Sequence, residues 1–356
     1  MKRTKLVFAL LVGAMLMALP GIAFAGGKTE TKSAPVAKPA AAAAKVAISH
    51  NSSLESPWQK ASLSFADIIN KESNGRFKAE VFGNGVLFQR NWKVLLEMTQ
   101  SGSSQIGIES VTALAAIVPE LSAMSLPFLF NDIEHVIRFL ESGTPVWEKW
   151  VSDGFAKQNL VVLSISPRPF RQINNNKRLI KTPQDIKDLK FRVPATPFFV
   201  SVFEALGAKP VPLPSGEIYT SIQLGTVVGE DNSIPVQYDF KTHEVAKNFT
   251  IWNYIADASV MFMNKDMWDK LSDADKALYK KAGKNWASVN VKEDTDYSVV
   301  AMDKMKAAGV NFYTMTEAEK GPFKKLVEPV YTKMATSVGN DNFQAFMDAV
   351  KKTATK

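Results

Sequence analysis

Strand-like and helix-like segments alternate along most of this chain, and this alternation constrains the fold more than any other feature. Residues 45–49 have the pattern of a short strand. Ser56-Pro57 then pairs a capping residue with proline at the first helical position, and Gly75 ends the predicted helix. Further segments follow in order: a strand over 76–82, a helix over 91–100 and a strand over 104–110. This order predicts an α/β fold with a largely parallel sheet.

The same alternation returns in the middle of the chain. The predicted elements there are strands over 160–166, 190–193 and 208–213, and helices over 196–206 and 215–224. We expect VVGEDN (227–232) to be a turn-like end to this second block. Two α/β blocks of this size predict two lobes rather than one large sheet.

A long helical pattern without proline runs from about Ser272 to Lys306. Because this length exceeds that of ordinary globular helices, we expect one helix that runs along both lobes. The alternative is a pair of helices that separate near Gly283, since glycine weakens a helix interior.

The first residues have the pattern of a secretory signal peptide. Three basic side chains precede an almost wholly apolar run over 6–19, and Ala23-Phe24-Ala25 matches a cleavage site. We therefore expect cleavage near Ala25 and export of the mature protein. The apolar run is shorter than the ~20 residues that span a membrane, although an uncleaved anchor is the alternative.

Composition excludes several kinds of site. The 356 residues include no cysteine, which excludes disulfides, thiolate metal sites and a cysteine nucleophile. The formal net charge is +8, but the basic residues are scattered among acidic ones and form no basic block. Such a surface attracts small anions and gives little support to nucleic-acid binding.

The sequence contains no catalytic or metal-binding motif that we recognise. His50, His135 and His243 have no metal-ligand spacing, and neither HExxH nor a carboxylate cluster accompanies them. GxSxG, P-loop and GxGxxG motifs are also missing. We therefore expect no enzymatic activity, no metal and no cofactor.

Two arginines lie at the edges of strand-like segments, where a buried charge needs a partner. They are Arg171 in FRQINNNKR and Arg192 in KFRVPATP. Arginine presents a planar fork of donors that matches a carboxylate, and it keeps its charge. Two such groups converging on a cleft predict an anion site. The alternative is an internal salt bridge to one of four carboxylates: Asp185, Asp188, Glu204 or Glu217.

Several blocks, in order, resemble the extracytoplasmic solute receptors of TRAP transporters, of the DctP type. The resemblance covers about residues 45–334. Its blocks are NGRFKAEVFGNGVL (74–87), ELSAMSLPFLFNDIEHV (120–136), KFRVPATPFFVSVFEALGAKPVPLPSGEIYTSIQLGTVVGEDN (190–232) and VMFMNKDMWDKLS (260–272). The third is the most specific, because it carries RVP, ALGA, P-x-P and E-x-Y in the order of the family.

The resemblance implies a two-lobed fold like that of type II periplasmic binding proteins, with a ligand cleft between the lobes and a long helix that spans both. It implies the following divisions: a signal peptide over 1–25, a flexible leader over 26–44, lobe I over 45–168 with about 257–298, and lobe II over 169–256 with about 299–356. It also implies hinge closure on an organic acid, which the receptor then delivers to the small and large membrane subunits of an ion-driven permease.

The resemblance also implies which residues bind the ligand. Arg192 matches the RVP arginine that binds the carboxylate with two hydrogen bonds, Arg171 matches a second, assisting arginine, and Asn232 matches the asparagine of a GQEN-like turn. Looser matches add polar groups to the pocket: Glu109, Ser110, His50 or Asn51, and Asn91 or Trp92.

Three positions depart from the family pattern. Val228 replaces an aspartate and Ser233 a proline around the GEDN turn. Ser215 stands where several members carry an aromatic ring, so a smaller side chain there could widen the pocket.

Other functions stay open on the sequence alone. A receptor of the same fold could serve another type of permease or a sensor. A secreted enzyme acting on organic acids would need a general base, for which only Glu109 or His50 is suitable. A surface adhesion protein would bind no small molecule at all.

Overall fold

One mixed β-sheet organises residues 42–354, which are the residues that this computed structural model describes. The predicted signal peptide and most of the predicted leader lie outside them. The strands are β1 (Ala44–Ser49), β2 (Phe77–Phe82), β3 (Ile106–Ser110), β4 (Leu160–Asn175), β5 (Lys190–Val193), β6 (Lys209–Pro212), β7 (Gly229–Ser233), β8 (Asn248–Asn264) and β9 (Asn311–Thr314).

Helices cover the sheet and fill the connections between its strands. They are α1 (Pro57–Glu72), α2 (Trp92–Gln100), α3 (Val111–Leu114), α4 (Ile133–Glu141), α5 (Pro145–Ala156), α6 (Pro183–Ile186), α7 (Pro197–Ala205), α8 (Ile218–Gln223), α9 (Ile234–Asp239), α10 (Thr242–Val245), α11 (Lys265–Asp269), α12 (Asp273–Ala307), α13 (Glu317–Leu326), α14 (Glu328–Val338) and α15 (Asn340–Thr353). Short 3₁₀ segments occupy Pro119–Ser125 and Ser215–Glu217.

The two longest strands, β4 and β8, form the centre of the sheet and run antiparallel. The strand order is β2-β1-β3-β8-β4-β7-β5-β6, and β9 also pairs with β8. On one side β1 pairs in parallel with β2 and β3, and on the other β5 pairs in parallel with β6 and β7. The α/β class is therefore confirmed, and the parallel pairs lie where the alternation predicted them. The alternation did not predict the antiparallel centre.

The two α/β blocks share one continuous sheet, so the expectation of two lobes rather than one large sheet is wrong as far as the sheet is concerned. β4 has 16 residues and β8 has 17. β8 pairs with β3 of the first block and with β4, and β4 pairs in turn with β7 of the second block, so the two long strands join the blocks. The predicted lobe boundaries near residues 168, 256 and 298 fall inside β4, β8 and α12. These boundaries stay a prediction.

The segment VVGEDN is not a turn-like end, because its last four residues belong to strand β7, which lies between β4 and β5. The sequence GEDNS is charged and polar, so it lacks the apolar residues by which a buried strand is predicted. All five residues of β7 are nevertheless buried. A side chain at Gly229 would place its Cβ 1.8 Å from the backbone oxygen of Asn174. Glycine is therefore required where β7 approaches β4 this closely.

Helix α1 begins as its sequence predicts and packs against the long helix. The Ser56 hydroxyl accepts a hydrogen bond from the Gln59 amide, and Pro57 occupies the first turn. Phe65 of α1 and Trp286 of α12 are fully buried in one hydrophobic cluster. Burial of a large apolar side chain contributes about 1.5–3 kcal/mol, so this cluster holds α12 against α1 and the N-terminal part of the sheet.

The long helix is one uninterrupted element of 35 residues, which confirms the single-helix prediction. The Ser272 hydroxyl caps it by accepting a hydrogen bond from the Asp275 amide at 3.1 Å. α12 contacts α1 and β4, and farther along the chain it contacts α9. Gly283 does not break the helix but lies against β4, where a Cβ would come 2.9 Å from the Leu163 carbonyl oxygen.

We therefore expect Gly283→Ala to destabilise the protein, although alanine favours a helix interior by about 1 kcal/mol. The added methyl group would push α12 away from the backbone of β4, and overpacking of this kind costs about 1–3 kcal/mol. Chemical unfolding of the variant measures the difference. Thr295→Ala, on the exposed side of α12, is the control and should leave the stability unchanged or slightly increased. A stabilising Gly283→Ala would contradict the close contact.

No helix among residues 42–354 is both long enough and apolar enough to cross a membrane.

Candidate functional site

A cavity of about 70 Å³ lies where strands from both sides of the sheet end. Glu109 and Ser110 reach it from the end of β3, Arg192 from β5 and Asn232 from β7, while Asn51 comes from the turn after β1. Crevices at the carboxyl ends of strands are the usual binding position in α/β proteins. Polar groups distant in sequence are thus brought to one place.

Eight of the ten predicted ligand residues line this cavity: Asn51, Trp92, Glu109, Ser110, Arg171, Arg192, Ser215 and Asn232. His50 and Asn91 do not. The His50 ring is fully buried, and its Nε2 lies 2.9 Å from Oε1 of Gln59. Burial lowers the pKa of His50 to about 4, so the ring is neutral at physiological pH. Asn91 is exposed and caps α2 by accepting a hydrogen bond from the Lys93 amide.

Arg192 is buried with little compensating negative charge. Its Nε and Nη2 donate to the Leu213 carbonyl oxygen at 2.9 and 2.7 Å. The nearest carboxylate oxygen, Oε2 of Glu230, lies 4.0 Å from Nη1. Burial lowers the pKa of Arg192 to about 10 against the attraction of Glu230 and Asp231, yet the group stays charged at neutral pH. The Nη1–Nη2 edge of the fork therefore remains for an incoming anion.

Arg171, in contrast, has a complete internal partner. Its Nε lies 2.6 Å from Oδ2 of Asp231, and its Nη2 lies 2.7 Å from the Asp231 carbonyl oxygen. Asp257 adds a longer contact of 3.4 Å from Nη1. Burial alone would lower the pKa of Arg171, but these two carboxylates raise it above its ordinary value. Arg171 is thus both part of the cavity wall and a member of a buried ion pair.

The alternative in which Arg171 and Arg192 form internal salt bridges is wrong about which carboxylates they meet. Arg171 pairs with Asp231 and Asp257, and the carboxylate nearest Arg192 is Glu230. The four partners expected from sequence take up other roles or lie at the surface: Asp185 caps α6, Asp188 pairs with Lys209, and Glu204 and Glu217 are exposed. The true partners come from β7 and β8, which sequence proximity alone could not reveal.

Glu109 and Asn51 form the polar wall on the other side of the cavity. Asn51 Nδ2 donates to Glu109 Oε2 at 3.1 Å, and the Ser110 amide donates to Oε1 at 2.8 Å. Burial raises the pKa of Glu109 to about 7, while the Ser110 amide and Arg168 act in the opposite direction. The Ser110 hydroxyl lies 2.7 Å from Oδ1 of Asp257. This wall offers both donors and acceptors to a polar ligand.

Sequence analysis missed Arg168, which also lines the cavity. Its Nη1 lies 3.3 Å from Oδ2 of Asp257, and its guanidinium carbon is 4.8 Å from the centre of the Trp58 ring. Residues three apart in a regular strand point to opposite faces, but β4 shifts register between Arg168 and Arg171. The prolines at 167 and 169 were the available signal, since proline in a strand marks such irregularities.

Neither histidines nor carboxylates form a metal site in the part of the chain that the structure describes, since no three such groups converge. The arrangement is instead a polar cavity with one under-compensated guanidinium, several amide and hydroxyl groups, and few side chains suited to bond-breaking chemistry. Such a set of groups is suited to holding an anion.

Comparison with known proteins decides what kind of protein has this arrangement. The sequence model of bacterial extracellular solute-binding protein family 7, DctP, matches residues 48–337. The chain belongs to this family. It is a DctP-type solute receptor of the TRAP class, which confirms the resemblance seen in the sequence. Proteins of this family bind solutes outside the cytoplasm, for transport. The DctP-type receptor described here is therefore a binding protein and not an enzyme.

Relatives of this DctP-type receptor share most of its length. The C4-dicarboxylate-binding periplasmic protein DctP of Rhodobacter capsulatus is 27% identical, over 84% of this chain and 89% of that protein. The crystal structure of the sugar acid binding protein DctPAm of Advenella mimigardefordensis, in complex with galactonate, has a TM-score of 0.82 at 27% identity. It covers 87% of this chain and 99% of the other.

A TRAP periplasmic solute binding protein of Bradyrhizobium sp., in complex with α/β-D-galacturonate, gives a TM-score of 0.79 at 28% identity. That comparison covers 85% of this chain and 99% of the other. The likeness extends over nearly the whole of both structures, which confirms the periplasmic-binding-protein-like fold.

Proposed function

We propose that this receptor captures a small organic acid through Arg192, closes its two lobes around the acid, and delivers it to a TRAP permease. The observation that carries the proposal is the state of the Arg192 guanidinium. It is 4% exposed, lines the cavity, and has its nearest carboxylate oxygen 4.0 Å away. A buried charge with so weak a partner is costly, so a ligand carboxylate on the Nη1–Nη2 edge would stabilise the closed form.

Closure follows from the placement of the other groups. Arg192 and Asn232 come from the β5–β7 side of the cavity, while Asn51 and Glu109 come from the β1–β3 side. A ligand that touches both sides in the closed form and one side in the open form shifts the equilibrium toward closure. The strands β4 and β8 and the helix α12 connect the two sides and would contain the hinge.

The ligand class is a carboxylate that carries further polar groups. The relatives described above are named for C4-dicarboxylates or hold galactonate and galacturonate, all of which present a carboxylate. In this chain Ser215 is half-buried in the cavity wall. Its small side chain leaves space that an aromatic side chain at the same position would fill. We propose that the receptor acts in the periplasm after cleavage near Ala25, and that it serves the small and large permease subunits.

A thermal-shift screen of the purified, ligand-stripped protein tests this proposal. Galactonate, galacturonate, succinate, keto acids and aromatic acids are compared with uncharged sugars of the same size. An acid at ~100 times its dissociation constant adds roughly 2.7 kcal/mol of stability, which raises the melting temperature by several degrees. We expect stabilisation by one class of acid and none by the uncharged sugars.

A folded protein that responds to no acid would overturn the carboxylate proposal. Equal stabilisation by an acid and by its uncharged analogue would show that the carboxylate is not what the cavity recognises.

A further inference from the structure

A buried carboxyl group, Glu230, lies directly behind the predicted anion site. Its side chain is completely buried, and Oε2 lies 4.0 Å from Nη1 of Arg192 and 3.3 Å from Nδ2 of Asn232. Both of these partners line the cavity, whereas Glu230 does not. One carboxylate oxygen is therefore shared by the two groups of this lobe that a ligand carboxylate would also use.

The rest of the Glu230 environment compensates a negative charge poorly. Its Oε1 has no hydrogen-bond partner among residues 42–354. The Thr242 hydroxyl is the other polar group beside Glu230, but its single proton also has the Gln237 carbonyl oxygen as an acceptor, at 3.3 Å, so its stabilisation of a charge on Glu230 is divided. The neighbouring carboxylate Asp231 also repels a charge on Glu230. Arg192 is thus the main cation that stabilises an ionised Glu230.

We propose that Glu230 takes up a proton when a carboxylate binds to Arg192, so that the receptor binds its acid together with a proton. This inference rests on the proposed function. Two carboxylates that share one guanidinium in a buried site cannot both stay ionised at low cost, so one of them gains a proton. The ligand carboxylate takes the direct contact with the Nη1–Nη2 edge, which leaves Glu230 to be neutralised.

The electrostatic surroundings agree with this assignment. Burial raises the pKa of Glu230 above its ordinary value, and Asp231 adds to the increase, while Arg192, Thr242 and Asn232 lower it. A ligand carboxylate weakens the effect of Arg192, so the pKa rises further in the complex. Between the pKa values of the free and bound forms the dissociation constant then increases with pH. For one linked proton the increase approaches about tenfold per pH unit.

Calorimetry of acid binding measures this proton directly. The wild-type receptor is titrated with whichever of galactonate, galacturonate and succinate stabilises it most, in phosphate and in Tris buffer at equal pH. Because the two buffers differ in ionisation enthalpy, the difference in binding enthalpy counts the protons taken up. We expect uptake of a fraction of a proton, up to one per ligand, and a dissociation constant that rises with pH.

Matched variants identify the group that takes up the proton. Glu230→Gln keeps the size and hydrogen-bonding capacity of the side chain but cannot ionise, so the proton uptake should be largely lost and the dissociation constant should rise less steeply with pH than in the wild type. Glu109→Gln removes the other buried carboxyl group at the cavity, whose pKa is about 7, and should leave the uptake in place. Glu217→Gln, an exposed acid near Arg192, is the surface control.

The outcomes separate the inference from the function on which it rests. Binding without proton uptake in the wild type, or uptake that persists in Glu230→Gln and disappears in Glu109→Gln, overturns the role of Glu230 and leaves acid capture intact. The wild-type calorimetry decides whether binding takes up a proton, even if Glu230→Gln fails to fold. A receptor that binds none of the acids overturns the carboxylate function, and the proton linkage with it.

Discussion

Arg192→Ala is expected to weaken acid binding at least tenfold while the protein still folds. A charge-assisted hydrogen bond contributes on the order of 1.5–3 kcal/mol, and each 1.4 kcal/mol is about tenfold in affinity. Arg171 cannot take over, because Asp231 already occupies its Nε and Nη2. Isothermal titration with the acid selected by the thermal-shift screen measures the loss.

Arg192→Lys is the sharper variant, since it keeps the positive charge and removes the planar fork. We expect an affinity between those of the wild type and Arg192→Ala. Arg178→Ala removes an exposed arginine from the same part of the chain and serves as the matched control. Unchanged affinity in Arg192→Ala, with the control also unchanged, would show that another group holds the carboxylate.

The folding of Arg192→Ala deserves its own measurement, because the substitution removes the nearest cation from Glu230. An isolated buried carboxylate is costly, but a carboxyl group escapes this cost by binding a proton. The Leu213 carbonyl oxygen also loses two donors, at 2.9 and 2.7 Å. A far-ultraviolet circular dichroism spectrum that matches the wild type is therefore the precondition for interpreting the affinity.

Much of this site could be predicted from sequence because its residues belong to short continuous motifs. Arg192 in KFRV and Asn232 in GEDN both line the cavity, as do Glu109 and Ser110 at the end of β3. What the sequence did not contain was the pairing between strands. Asp231 and Asp257 reach Arg171 from β7 and β8, which are separated from it by 60 and 86 residues along the chain.

The two predicted residues outside the cavity show how fine such a prediction has to be. His50 and Asn51 are adjacent just after β1, yet the His50 ring is buried against Gln59 while Asn51 faces the cavity. Asn91 and Trp92 differ in a similar way, since the first caps α2 and the second begins it. In both pairs, neighbouring residues differ in whether the side chain faces the cavity. Matching a motif to the family without the exact alignment cannot tell which of the two does.

The antiparallel centre of the sheet was missed for a related reason. Alternation of strands and helices predicts parallel neighbours, and it describes each side of the sheet correctly. β4 and β8 are instead long strands whose partners lie far away in sequence, and their pairing depends on where the chain returns. Single-sequence patterns carry local preferences, and this pairing is not local.

Asp231→Ala is expected to lower the free energy of unfolding by about 3–5 kcal/mol, because removal of one member of a buried ion pair leaves the other charge uncompensated. Arg171 would keep only Asp257, at 3.4 Å, which Arg168 already shares at 3.3 Å. The Tyr254 hydroxyl, which donates to Asp231 at 2.8 Å, would also lose its acceptor. Guanidinium unfolding followed by circular dichroism measures the change.

Asp67→Ala is the matched control for this effect. Asp67 forms a salt bridge with Lys71 at 2.8 Å on the surface of α1, where its side chain is 55% exposed. Surface pairs of this kind contribute about 0–1 kcal/mol, so its loss should be small although the pair distance resembles that of Arg171 and Asp231. If both variants lost the same stability, burial would not be what makes the Asp231 pair strong. If Asp231→Ala were as stable as the wild type, the ion pair with Asp231 would not be what stabilises buried Arg171. Arg171 would then be free to bind the ligand carboxylate from the cavity wall.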